Sequence, residues 1–151
     1  MYIRGYEEKD CKEITELFYN TVHTVNIKDY TEEELNAWTG ESVDCDKWNR
    51  SLKEHFTLVA VEGGIIIGFG DIDCTGYLDR LYVHRDYQGR GTATALCGRL
   101  EEHINGDITV HSSITAKPFF EHRDYAVIKE QRVLKNGVPL TNFVMLKKYG
   151  G

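Results

Sequence analysis

Hydrophobic and polar positions change their period several times along the chain, and each change marks an element. Residues 1–6 read as a short strand, and Asp10 with Glu13 predicts a capping box before a helix carrying Ile14, Leu17, Phe18 and Val22. Thr31 and Glu34 repeat that signature ahead of Leu35 and Trp38, and residues 44–48 lead into another short helix. The stretch 23–30 between the first two helices fits no strand pattern. From Thr57 the period falls to two: residues 57–61, a Gly63-Gly64 turn and residues 65–73 predict a hairpin running into a strand over 77–83, an antiparallel meander. On that last strand, strict alternation puts Tyr77, Asp79, Leu81 and Val83 on one face and Leu78, Arg80 and Tyr82 on the other.

Helical spacing returns with Ala93, Leu96, Cys97, Leu100 and Ile104 and ends at Gly106. A strand over 107–111 follows, then a short helix over 113–120 with Pro118 in its first turns. Residues 125–134 and 138–147 form a hairpin around Asn136-Gly137. There are no repeats, low-complexity tracts or linkers, so a single domain over 1–151 is expected.

Between the meander and the long helix lies Gln88-Gly89-Arg90-Gly91-Thr92-Ala93-Thr94. Its glycines let backbone approach an anion with no Cβ in the way, and the first amides of the following helix have no intrahelical acceptor. With the positive end of the helix dipole they suit a diphosphate. Spacing excludes two other phosphate loops. No lysine follows Gly91, as a Walker A loop requires, and Thr94 stands where a dinucleotide fingerprint needs its third glycine.

Composition narrows the partners. At 41% hydrophobic and 28% charged the chain is an ordinary globular one, and a net charge of −6 argues against nucleic acid or an anionic membrane as the main partner. The sign reverses locally, because Arg80, Arg85, Arg90 and Arg99 outnumber Asp79 and Asp86 around the loop. Cysteines 11, 45, 74 and 97 make no Cys-x-x-Cys pair, and no signal-like apolar stretch opens the chain, so a reduced, cytoplasmic protein is expected. The six histidines form no ligand set, so no metal is expected.

The run Gln-x-x-Gly-x-Ala after Leu-Tyr-Val-His-Arg-Asp-Tyr resembles the acyl-CoA signature of the GNAT superfamily of N-acyltransferases. Ser113-Ile-Thr-Ala116-Lys-Pro-Phe119-Phe120, followed after four residues by Tyr125, resembles that family's later pattern Asn-x-x-Ala-x-x-Phe-Tyr and an aromatic. The likeness spans nearly the whole chain and is best from about residue 65 to 145. It implies an α+β fold: a mixed, mostly antiparallel sheet flanked by helices and splayed between the fourth and fifth strands. It also implies transfer of an acetyl group from acetyl-CoA to a primary amine of a small molecule or peptide, with no metal. A homodimer, in which a partner subunit helps shape the pocket, is compatible with it.

Carried over residue by residue, the resemblance assigns the pantetheine arm to the backbone of Leu81, Tyr82 and Val83 and the pyrophosphate to the amides of Gln88, Gly89, Arg90, Gly91, Thr92, Ala93 and Thr94. Ser113, Phe119 and Phe120 fall near the pantetheine and thioester. The roof over the acceptor implies His23, Asn26, Tyr30 and Trp38. An aliphatic amine of pKa ~10 needs a base, and a leaving thiolate of pKa ~8.5 benefits from an acid. Asp79 and Tyr77 are the leading catalytic candidates, with Asp71, Asp73, Tyr82 and His111 behind them; pairing of Asp79 with Arg80 is the competing explanation of that carboxylate. Phe120 stands where many members have an acidic tyrosine, which leaves that role vacant or moved and keeps a non-catalytic acyl-CoA-binding domain as the alternative.

Overall fold

The computed structural model describes residues 1–150. In chain order it comprises β1 (Tyr2–Gly5), α1 (Cys11–Thr24), α2 (Glu32–Thr39), α3 (Cys45–Glu54), β2 (Phe56–Glu62), β3 (Ile65–Ile72), β4 (Tyr77–Val83), α4 (Thr92–Glu102), β5 (Ile108–Ser113), α5 (Lys117–His122), β6 (Ala126–Lys135) and β7 (Val138–Lys147). The strands form one sheet in the order β1-β2-β3-β4-β5-β7-β6, antiparallel except for β4 beside β5. The mixed, mostly antiparallel sheet expected from the sequence is present.

Local signals account for most boundaries. The Thr31 hydroxyl accepts from the Glu34 amide at 3.2 Å while the Glu34 carboxylate accepts from the Thr31 amide at 2.8 Å, a complete capping box. Asn136 and Gly137, with φ of 48° and 81°, make the left-handed two-residue turn that joins β6 to β7. Two expectations need correction. Asp10 does not cap α1 with Glu13: its carboxylate accepts from the Arg4 guanidinium at 2.8 and 2.9 Å, a stronger partner than a neutral amide, and Glu13 accepts from the Ile66 amide on β3. The helix expected over 113–120 is confined to Lys117–His122, with Pro118 in its first turn and Ser113 still paired with Asn142 in β5.

The sheet separates two apolar layers. Along β2, Val59 and Val61 enter the layer with Ile14, Phe18, Leu35 and Leu52 of α1–α3. Leu58 and Ala60 enter the layer with Leu96 and Leu100 of α4. α4 lies close on β3 because position 70 is glycine: a Cβ there would stand 2.9 Å from Leu100 Cδ1.

β4 departs from simple alternation. Asp71 pairs with Arg80 while Ile72 pairs with Leu78, so Asp79 is an extra residue, a β-bulge. The faces expected for β4 are therefore corrected beyond Leu78. Leu81 joins Leu78 in the α4 layer, and Arg80 and Tyr82 turn to the side shared by Tyr77 and Asp79. Next to the bulge the sheet opens. β4 and β5 are in register only at Tyr77 with Thr109 and Leu78 with Val110, and the β4 edge from Asp79 onward diverges from β5.

Candidate active site

Above this opening, on the α1–α3 side, lies a cavity of about 670 Å³. β4 supplies Tyr77, Asp79, Arg80 and Tyr82 to its floor, and His111 and Ser113 come from β5. Trp38 of α2 and Trp48 of α3 form aromatic walls, and Lys47 and Lys135 add positive charge. The Tyr30 hydroxyl donates to the Thr141 carbonyl at 2.7 Å and accepts from the Ile114 amide at 2.9 Å, so it ties β7 to the chain just past β5 across the mouth.

Beneath the floor is a charged cluster. Asp71 of β3 is fully buried, and its Oδ2 accepts from Arg80 Nη1 at 2.5 Å and pairs with His55 Nδ1 at 2.7 Å. Arg80 Nη2 donates to Ser51 Oγ at 3.1 Å, and its guanidinium lies 4.5 Å from the centroid of the Trp48 ring. Asp79 Oδ2 is farther from both cations, 3.7 Å from Arg80 Nη1 and 3.9 Å from His55 Nδ1. Burial pushes the Asp79 carboxyl above the usual aspartate range, against the opposing pull of Arg80. The hydrogen bond with Asp71 raises His55. Burial, helped by Asp79, pushes the Tyr77 phenol up to about 12, so it stays protonated. Ligand atoms of His55, Asp71 and Asp79 lie within 4.8 Å of one another, a spacing compatible with a metal. The cation already among them is the Arg80 guanidinium.

At the far end of β4 the loop residues 88–91 turn into α4. Gly89 and Gly91 take φ of 73° and 81°, and open space surrounds the position a Cβ would occupy at either. The first bond of α4 runs from the Ala95 amide to the Gly91 carbonyl, which leaves the amides of Thr92, Ala93 and Thr94 without an intrahelical acceptor. The diverging β4 edge thus leads from the cavity to a set of open N–H groups, and this fits the phosphates and extended arm of an acyl-CoA. One group is already engaged: the Val83 carbonyl accepts from Gln88 Nε2 at 2.7 Å and from Thr21 Oγ1 at 3.1 Å.

The remaining residues singled out from the sequence divide. Tyr30 and Trp38 line the cavity. His23 and Asn26 do not: the His23 ring pairs with Thr39 Oγ1 at 2.9 Å, and Asn26 is buried in the turn after α1. Asp73 accepts from the Thr75 and Tyr77 amides in the turn between β3 and β4 and takes no part in the floor. Ser113 Oγ accepts from the Ala116 amide, which fixes the approach to α5. Phe120 is buried between Phe119 and Tyr125, and the Tyr125 hydroxyl is spent on Glu101, so no phenol replaces the missing acid there. The Arg90 guanidinium sits 3.3 Å from Glu62 and over the Tyr87 ring. His55, Ser51 and Lys47 had no signal in the sequence, since α3 meets β4 only through the tertiary fold.

Comparison with known proteins agrees with this geometry. Residues 26–147 match the family model for the acetyltransferase (GNAT) domain. The chain is 33% identical over 146 residues to the uncharacterized N-acetyltransferase YafP of Escherichia coli, covering 97% of this chain and 95% of that protein. It is 33% identical over 114 residues to the L-methionine sulfoximine/L-methionine sulfone acetyltransferase of Salmonella typhimurium, covering 66% of this chain and 61% of that one. A crystal structure of a GCN5-related N-acetyltransferase from Rhodopseudomonas palustris superposes with a TM-score of 0.94 at 31% identity, over 97% of this chain and 94% of that one. A bulged fourth strand, a splayed sheet and a glycine loop with open amides are here joined in one sequence to these matches, and the chain belongs to the GNAT family of N-acetyltransferases.

Proposed function

We propose that the chain transfers an acetyl group from acetyl-CoA to a primary amine of a small molecule or peptide, with Asp79 as the base. The observation that carries this reading is the position of Asp79: a carboxylate on the cavity floor, its side chain 31% exposed, at the start of the unpaired β4 edge that leads to the loop amides. Bound acetyl-CoA supplies a thioester whose carbonyl carbon an amine attacks. The amides of residues 88–94 hold the pyrophosphate, and the backbone of Leu81 and Tyr82 holds the arm and polarises the acyl carbonyl. Asp79, its proton affinity raised by burial, takes a proton from the incoming ammonium. Tyr77, protonated at neutral pH, orients that amine as a hydrogen-bond donor or acceptor through its hydroxyl. The thiolate takes its proton from solvent or from the positively charged nitrogen that the attack of the neutral amine creates, since Phe120 has none to give.

The cavity offers Phe18, Trp38, Trp48 and Tyr82 to the apolar or aromatic body of an amine, beside a wall that is as polar as it is apolar. The four cysteines are free thiols, in keeping with work in the reducing cytoplasm. The test is acetyl-CoA-dependent release of free thiol against polyamines, amino acids, aminoglycosides and short peptides, with a no-acceptor control. Release well above the control with one amine class is expected. Binding of acetyl-CoA with no release across the panel would overturn the catalytic reading.

A further inference from the structure

The bulge that places Asp79 on the cavity floor also creates a problem for it. Asp79 and Arg80, adjacent in sequence, come to share one side of the strand, and Arg80 Nη1 stands 3.7 Å from Asp79 Oδ2. A carboxylate closed into an ion pair with arginine is a poor proton acceptor, because the neighbouring cation favours its ionised form. The guanidinium is instead turned aside. Its Nη1 is 2.5 Å from Asp71, its Nη2 bonds Ser51, and its plane lies over Trp48. Asp71 is the β3 residue in register with Arg80, fully buried, and its Oδ1 has no partner among the described residues. A buried carboxylate so incompletely satisfied is costly unless its charge is used.

We propose that Asp71 is a positioning residue that draws the Arg80 guanidinium away from Asp79, leaving the Asp79 carboxylate free to accept a proton. This rests on the reading of Asp79 as the base, and it adds a function for two residues that do not touch the reacting atoms. His55, when protonated, is a second cation held on Asp71 Oδ2, so one oxygen collects both basic groups nearest Asp79. The other ionisable groups around Asp79 are Tyr77 on β4, Asp73 at the end of β3, His111 on β5 and Lys47 on α3. All remain in place in the variants below.

The test follows the Asp79 carboxyl directly, by ¹³C NMR of aspartate-labelled protein over a pH series, with its resonance assigned from the Asp79→Asn spectrum. In Asp71→Asn the neighbouring negative charge is lost and the guanidinium, without its holder, turns to Asp79; both move the Asp79 titration to lower pH, together by about one unit or more. In Asp71→Asn/Arg80→Gln no guanidinium remains to turn, and the titration moves back up past that of the single variant. A merely structural role for Asp71 predicts lost stability with no such reversal. An unmoved Asp79 titration in folded Asp71→Asn, or a double variant that titrates with the single one, overturns the proposal. If Asp71→Asn does not fold, Asp71→Asn/Arg80→Gln/His55→Gln decides alone, because with neither basic group left to turn its Asp79 must titrate at or above the wild-type position; a lower value overturns the proposal. Failure of the underlying reading looks different: Asp79→Asn then turns over the amine found in the thiol-release panel at the wild-type rate, whatever the NMR shows.

Discussion

Two carboxylates drawn into the fold meet two basic side chains each, and they end differently. Glu101 of α4 has both oxygens occupied: Arg123 and Lys147 reach Oε1 at 2.5 and 3.3 Å, and Tyr125 donates to Oε2 at 2.7 Å. Its carboxyl is held below the usual glutamate range by these partners against burial. The network ties α4 to the start of β6 and the end of β7 and leaves no carboxylate over. Asp71 meets the Arg80 guanidinium and the His55 imidazole, but both share one oxygen, and a second carboxylate, Asp79, is left facing the cavity with a raised proton affinity. A closed network holds elements together, whereas one with a surplus acid retains a group that can exchange protons. Buried charge alone does not mark an active site; what marks it is the group the network leaves without a hydrogen bond.

The comparison can be broken most sharply at the loop that serves the open region. Gly91→Glu forces a side chain into φ of 81° and sets a negative charge among the amides, and acetyl-CoA binding by calorimetry is expected to vanish. Retained binding would remove the cradle from the site. Next in size, Asp79→Asn is expected to lower turnover on the order of 100-fold with an unchanged melting temperature. At the closed network the effects exchange places. Glu101→Ala leaves Arg123 and Lys147 unpaired and should cost about 2–3 kcal/mol in urea unfolding, with turnover per folded molecule intact. Tyr125→Phe removes one hydrogen bond to the carboxylate and should cost about 1 kcal/mol.

The smallest expected effects are pH-dependent and opposite in sign. His55 is raised in the fold, so its stabilisation is complete below the ordinary histidine value of about 6.5 and is lost as pH rises through the folded value. Glu101 is lowered, so its stabilisation is complete above the ordinary value of about 4.3 and is lost as pH falls through the folded value. Melting temperature against pH should therefore have a shallower alkaline slope in His55→Gln and a shallower acid slope in Glu101→Gln, Asp10 and Asp73 keeping part of the latter. A swap of those slopes would show that the two networks have been assigned the wrong charges.

Much of the frame was legible in the residues. Thr31 with Glu34 starts α2, Asn136-Gly137 turns the last hairpin, and Gln88 to Thr94 opens the long helix, since each signal depends on a few neighbouring groups. The cap assigned to Asp10 failed for a non-local reason: Arg4 on β1 competes for the same carboxylate. His23 and Asn26, adjacent to the roof in sequence, turn into their own turn and helix contacts, while His55 and Ser51, unmarked in sequence, meet Arg80 from α3 and the turn that follows it.

The sequence by itself determined the succession of elements and the glycine loop, because periodicity, capping and turn chemistry are local. Which carboxylate stands free was decided only by the tertiary structure. Alternation counts residues one by one, and a single extra residue at Asp79 reverses every face beyond it. From the sequence Asp79 and Arg80 are neighbours on opposite faces; in the fold they share a side, and only the register of β3, which sets Asp71 opposite Arg80, keeps them apart.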